Sequence, residues 1–290
     1  MILNIKYNHS LEKTLGPQAA RLITELYENK HLIFTLELAA KTLGDPSVTQ
    51  QIVSCLVKKG IASRLKPGLF QLVPFDLGHE REYLGNPYIV AAQVALFHRG
   101  AGGSNISDRY YLSHGSAMDL HRMVTQPQLS VYVTTPRPIR PLIILGTEFR
   151  FVRVKSHDFF GVTELWVGKH DKISVSDLER TILDGLKQPH YCGGLKEVAK
   201  GLWMRRTDVD PKKLVDYSLK LDIGAVIRRL GFLMELYEIP APKEIGRLLK
   251  RLTATYQLLD PDLSPEGKFL ARWRLRLNIT KEELLLAGKT

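Results

Sequence analysis

Between Asp45 and Lys66 the chain sets hydroxyl, amide and basic side chains at intervals suited to reading a nucleic-acid duplex. On a helix drawn from Pro46, Ser47, Gln50, Ser54 and Lys58 fall on one side. Val48, Ile52, Cys55, Leu56 and the stem of Lys59 fall on the other, which predicts an inward-packed Cys55. Small hydroxyls and amides exchange hydrogen bonds with base edges, and a glutamine can engage adenine at two points. Lys58, Lys59, Arg64 and Lys66 would meet phosphates, which position a protein on DNA and make its binding depend on salt.

Other reactive-looking groups lack supporting geometry. The glycine cluster "RGAGGSN" has neither the Lys-Ser/Thr ending nor the preceding strand of a phosphate cradle. His98, His114 and His121 occur outside any His-Glu-x-x-His or Cys-x-x-Cys spacing, so no metal and no other cofactor is expected. His190 lies near Cys192 as a base might lie near a nucleophile, but nothing in the sequence orients the pair. Asp177, Glu179 and Asp184 could bind a metal, yet a helix start accounts for the first two.

Three helical patterns and a hairpin must position the duplex-reading residues. Pro17 opens a helix with Ala20, Ile23, Leu26 and Tyr27 at helical spacing, ending near Asn29. In "TLELAAKTLG", Thr35 is placed to cap and Gly44 to stop a second helix. The third starts at once, capped either by Asp45 ahead of Pro46 or through the Ser47/Gln50 capping-box spacing. Gly60 ends it, and "IASRL" and "LFQLV" form strands across "KPG". The order reads as a winged helix-turn-helix, with the second helix bracing the third in the major groove and the basic hairpin along the backbone. Two such units on a two-fold site would double the phosphate contacts.

After a hinge near "VPFDLGHE", "NPYIVAAQVALFHRG" and "SDRYYLSHGSAMDLHRM" read as helices. The period then changes to two in "LSVYVTT", "PLIIL", "FRFVRVK" and "TELWV", which predicts a small sheet. "VSDLERTILDGL" returns to helix, with Ser176 and Glu179 in capping-box positions, and from residue 194 onward helices dominate. The expected fold class is α+β, in three domains: a winged helix-turn-helix over 1–76, a mixed α/β unit over 77–185 and a helical region over 186–290.

Composition fits a globular chain with a polyanionic partner. The 290 residues are 44% hydrophobic and 24% charged, with a formal net charge of +11. That charge is uneven: +3, +1 and +7 over the three regions. Two cysteines argue against a disulfide framework. "MILNIKYNHS" lacks a signal-peptide pattern, and "YLGNPYIVAAQVALF" is too short for a bilayer span, so a cytoplasmic protein without membrane contact is expected.

The order of a winged helix, "YYLSHGSAMDLHRM" before "VYVTTPRP", then "KISVSDLERTILDGLKQPHYCGGLKEVAKGL" and "AVIRRLGFLMELYEI", resembles the AbiEi family of antitoxin-type transcriptional regulators across nearly the whole chain. The resemblance implies a functional partner toxin of the nucleotidyltransferase class, countered through the C-terminal portion, in a type IV arrangement without a stable complex. It also implies binding to inverted repeats in the protein's own promoter; separately, a monomer in solution that pairs on double-stranded DNA is expected. On this basis Ser47, Thr49, Gln50, Gln51, Ser54, Lys58, Arg64 and Lys66 look like DNA contacts. Exposed basic pairs, Arg205 with Arg206, Arg228 with Arg229 and Lys250 with Arg251, are the candidates for the toxin-countering surface. The alternative is a nucleic-acid-modifying enzyme that uses the winged helix only for targeting.

Overall fold

The computed structural model describes residues 15–77, 83–97, 109–124, 129–168 and 171–289. The glycine cluster at 99–105, His98, the amino-terminal decapeptide and part of the expected hinge lie outside the described residues. The chain mixes helices and sheets, and its described residues fall into two compact units: those within 1–99 together with 143–147, and those within 100–142 and 148–290.

In the first unit, α1 (Pro17–Glu28) is followed by β1 (Ile33–Thr35), α2 (Leu36–Leu43) and α3 (Pro46–Lys58). Thr35 caps α2, its hydroxyl accepting from Leu38 N at 3.0 Å, and Gly44 ends that helix at φ 89°. For α3 the cap is Asp45, whose Oδ1 accepts from Ser47 N at 2.7 Å and Val48 N at 3.2 Å. Then β2 (Ala62–Lys66) and β3 (Leu69–Leu72) form the expected hairpin. β1 pairs with the far side of β3, giving an antiparallel sheet in the order β1-β3-β2. Leu22, Ile23, Leu26, Phe34, Val53, Leu56 and Phe70 form one buried cluster beneath these elements. Each such side chain, once enclosed, favours the fold by about 1.5–3 kcal/mol. α4 (Pro87–Phe97) follows.

The second unit carries a mixed sheet. Its strands are β4 (Tyr111–Leu112), β5 (Ser130–Thr135), β7 (Thr147–Arg153), β8 (Val162–Trp166) and β9 (Lys172–Ser176), in the order β7-β5-β4-β9-β8, while β6 (Leu142–Ile144) lies mostly among the residues grouped with the first unit. The helix expected through 107–123 is shortened to α5 (His114–Leu120). Tyr111 and Leu112 pair instead with β5, and Leu112 also with β9, so they serve as sheet interior. β5 lies parallel to β7 and β8 antiparallel to β9.

Helices α6 (Leu178–Lys187), α7 (Leu195–Met204), α8 (Pro211–Leu221), α9 (Gly224–Leu236) and α10 (Pro242–Leu249) come next. The cap of α6 is Asp177, Oδ1 accepting from Arg180 N at 2.8 Å, in place of the Ser176/Glu179 box. Ser176 Oγ lies 2.8 Å from Thr181 Oγ1, while Glu179 accepts from Asp210 N at 3.0 Å. A single core runs from Met118 through Ile182, Leu202 and Leu230 to Leu284.

The expected all-helical run is interrupted by β10 (Gln257–Leu258), β11 (Lys268–Leu270) and β12 (Leu275–Leu277), in the order β10-β12-β11, before α11 (Lys281–Lys289). Between β11 and β12 the Trp273 ring lies against the backbone of α9 at Gly231, where any β-carbon would overlap the ring. Trp273 Nε1 donates to Glu235 Oε2 at 2.6 Å, one turn further along the same helix.

Candidate nucleic-acid interface

Helix α3 turns a different side inward from the one its apolar spacing predicts. Thr49, Val53 and Leu56 are buried, at 1%, 1% and 0% exposure, with Ile52 and Val57 flanking them. Cys55, expected to pack inward, is an exposed free thiol. The buried side is set by Val53 and Leu56 together with Thr49, which reads as polar in sequence. Its hydroxyl donates to Asp45 O at 2.7 Å, and this local bond lets the rest of the side chain enter the core as an apolar group does. Thr49 is therefore withdrawn from the set of outward contacts.

The outward side of α3 then carries Ser47, Gln50, Gln51, Ser54, Lys58 and Lys59, all exposed. Gln50, Ser54 and Lys58 follow one another at single-turn intervals. Beside them lies a groove of about 260 Å³, reached by all three and by Arg64 of β2, with Val53 and Phe70 as its enclosed apolar wall. Four residues nominated from sequence thus converge on one groove between helix and hairpin. Ser47 sits at the helix start. There the Val48 N–H, followed by the Ser47 hydroxyl and N–H, holds the Asp45 carboxyl below its ordinary range.

Lys66, at the hairpin end, is only partly exposed. Its ammonium lies 4.7 Å from the Phe97 ring centroid, and burial pushes its pKa below that of a free lysine. Gly68 lies beneath the same ring, where a β-carbon would fall 3.1 Å from Phe97 Cζ. Arg64 remains exposed and reaches the groove directly.

The basic pairs nominated in the C-terminal region divide sharply. Arg228 and Arg229 are buried, at 2% and 4% exposure, and do not form the outward pair expected from sequence. Arg228 donates to the carbonyls of Gly224 at 2.8 Å, Thr253 at 3.2 Å and Thr255 at 3.1 Å. Arg229 donates to Leu186 O at 2.6 Å, Leu259 O at 2.8 Å and Leu258 O at 3.2 Å. Four of these six carbonyls lie in the chain after α10, and the two guanidiniums tie that segment back onto α9. Burial lowers the pKa of both arginines.

The other two pairs stay near the surface. Arg205 Nε lies 3.1 Å from Asp208 Oδ2, and Arg206 stacks on Trp203 at 4.5 Å. Lys250 is exposed, and Arg251 forms an ion pair with Asp222.

The remaining candidate reactive groups are held by structural partners. Asp177 and Glu179 both meet Lys213 Nζ, at 3.2 and 2.8 Å, and Asp184 meets Arg180. Among the described residues no cluster of His, Cys, Asp and Glu could hold a metal ion. Cys192 is buried, and burial together with the Asp184 carboxylate pushes its thiol far above the ordinary range, which makes it a poor nucleophile. His121 Nε2 lies 2.7 Å from Ser176 O. No helix among the described residues is long and apolar enough to cross a membrane.

No family model matches the chain, and no curated protein matches it either. Among solved structures, the crystal structure of RV2827C protein from Mycobacterium tuberculosis is similar, with a TM-score of 0.68 over 94% of this chain and 95% of that one. The two are 14% identical, and the likeness establishes the shared fold alone.

Proposed function

We propose that this protein is an antitoxin-type transcriptional repressor whose first unit is a winged helix-turn-helix bound to inverted repeats in its own promoter. The observation that carries the reading is the convergence of Gln50, Ser54, Lys58 and Arg64 on one open groove. In the complex α3 enters the major groove, Gln50 and Ser54 face base edges, and Lys58 and Arg64 hold phosphates on either side. Two copies occupy the two halves of the operator. The net charge of +11 supports a polyanionic partner.

The toxin-countering part of the proposal rests on the resemblance of "SVSDLERTILDGL" and "GGLKEVAKGL" to the AbiEi family. Its surface is narrowed to Arg205, Arg206, Lys250 and Arg251, because Arg228 and Arg229 are enclosed.

The test is an electrophoretic shift with the upstream promoter fragment, titrated with salt. A specific shift that collapses as salt rises supports the repressor. Failure to distinguish the promoter from random duplex overturns it, and metal-dependent cleavage or nucleotide transfer would replace it with the enzyme reading. For the second half, the neighbouring open reading frame is expected to encode a nucleotidyltransferase-class toxin, and co-expression should relieve its toxicity.

A further inference from the structure

The small sheet β10-β12-β11 has one face against the core and one face open. Leu270, Leu275 and Leu277 pack inward. By strand alternation the opposite face carries Phe269 and Arg276, and Tyr256 and Arg274, each just before a strand, reach it through their ring and guanidinium contacts. Phe269 stands directly across from Arg276 in the strand register and is 62% exposed. Its ring centroid lies 5.2 Å from the Arg276 guanidinium carbon and 5.0 Å from the Tyr256 ring, which it meets at 83°. Arg274 lies 5.6 Å from the Tyr256 ring, and its Nη1 donates to the phenol oxygen at 3.3 Å.

Fold stability does not explain this face. An exposed cation–π contact contributes about 0.5–1 kcal/mol, less than enclosing a phenylalanine would. The charges are also treated differently from those around them. Arg272 is bidentate on Glu235 and Arg251 is paired with Asp222, whereas Arg274 and Arg276 have no carboxylate within ion-pair distance among the described residues. The two guanidiniums are therefore held by rings, by the Tyr256 phenol and by the Gly267 carbonyl, to which Arg276 Nε donates at 3.4 Å, with no carboxylate opposite them.

We propose that this face binds a single-stranded nucleic acid, with unpaired bases stacking on Phe269 and Tyr256 and the backbone phosphates meeting Arg274 and Arg276. Alternating rings and guanidiniums on an open sheet supply the two things a single strand offers, π-faces and regularly spaced negative charge. A duplex keeps its bases stacked on one another and cannot present them to an upright phenyl ring. A protein partner would have to be acidic to compensate both arginines. Gly267 makes the arrangement possible, because a β-carbon there would overlap Leu277 O and push β11 away from β12.

The test uses the full chain and fluorescence anisotropy with three labelled probes: a short oligouridylate, an oligothymidylate of equal length and a duplex carrying the promoter repeats. Phe269→Ala, Phe269→Leu and Arg276→Ala are each expected to weaken single-strand binding at least about fivefold and to leave duplex binding unchanged. Arg64→Ala should do the reverse, which separates this site from the groove beside α3. Binding of RNA alone, DNA alone or both supports the proposal and identifies the strand. The proposal is overturned if wild-type protein ignores both single strands, if Phe269→Leu binds them as wild type does, or if polyglutamate competes as effectively as the oligonucleotides. Matching thermal melts for the variants show that the fold is retained.

Discussion

Arg180 and Asp184 lie one turn apart on α6 and meet through Nε and Oδ1 at 2.9 Å, with side-chain exposures of 0% and 4%. The guanidinium also donates to Asp158 O at 2.8 Å and lies over the Phe160 ring at 4.5 Å. Tyr111 donates to the second carboxylate oxygen at 3.5 Å. Burial disfavours the charge on Arg180, but the Asp184 carboxylate outweighs it and the pKa is raised. Arg180→Met leaves a carboxylate enclosed without its partner and should cost about 3–5 kcal/mol. In Arg180→Met/Asp184→Leu much of that loss should be recovered, as read by urea unfolding. A loss in the double variant equal to the sum of the Arg180→Met and Asp184→Leu losses would show that the pair is not coupled.

On the outward side of α3, Gln50 and Arg64 should behave in opposite ways. If α3 reads the duplex as proposed, Gln50→Ala removes an amide facing base edges and should reduce the preference for promoter over random duplex by roughly 1–3 kcal/mol. Arg64→Ala should weaken all sequences alike and lower the salt slope by about 1. Thr49→Val, altering a buried side chain, should leave discrimination as it is. Competition binding at several salt concentrations reads all three. Loss of discrimination in Thr49→Val alone would contradict this orientation of the helix.

His114 predicts a pH dependence of stability. Burial pushes its pKa down to about 4, with Arg180 and Lys187 acting in the same direction against Asp184 and the Gln188 amide. The unfolded chain takes up this proton near 6.5, so between 6.5 and about 4 the unfolded state binds more protons than the folded state. Stability from this group is therefore full above 6.5 and declines as pH falls towards 4, by up to about 3 kcal/mol. The backbone at His114 has φ 50°, a conformation asparagine tolerates, so His114→Asn removes the titration with little strain. Denaturation across this pH range should show a shallower decline in the variant. Superimposable profiles would refute the assignment.

Local chemistry made much of this chain readable. Thr35, Asp45 and Gly44 act at the helix ends where their side chains or backbone freedom suggest, because caps depend on neighbours a few residues away. The face of α3 was harder to read, since Val53 and Leu56 enter the core together with Thr49, whose hydroxyl is satisfied locally by Asp45 O. Strand β4 is only two residues long, and Tyr111 and Leu112 are strand because β5 and β9 lie on either side of them. The candidate groove was legible residue by residue, but the enclosure of Thr49 was not. The Phe269 face was hidden for a similar reason: a short sheet closed by the distant register Phe269 to Arg276 leaves little periodicity within either segment.

The sequence "IRRLGFL" looks like a charged face, yet Arg229 reaches three backbone carbonyls that come from two separate segments. This separates two meanings of a basic pair. Arg229→Met should unfold the second unit's core at lower denaturant, costing about 3 kcal/mol or more, because several enclosed acceptors lose their donor together. Any loss of toxin relief in that variant would then follow loss of folded protein. Arg206→Ala and Lys250→Ala alter exposed side chains, and should change stability by less than about 0.5 kcal/mol. Relief of toxicity measured at equal folded concentration decides between them. If Arg229→Met stays as stable as wild type while relief is lost, the guanidinium acts on the partner and its enclosed bonding is not its main role.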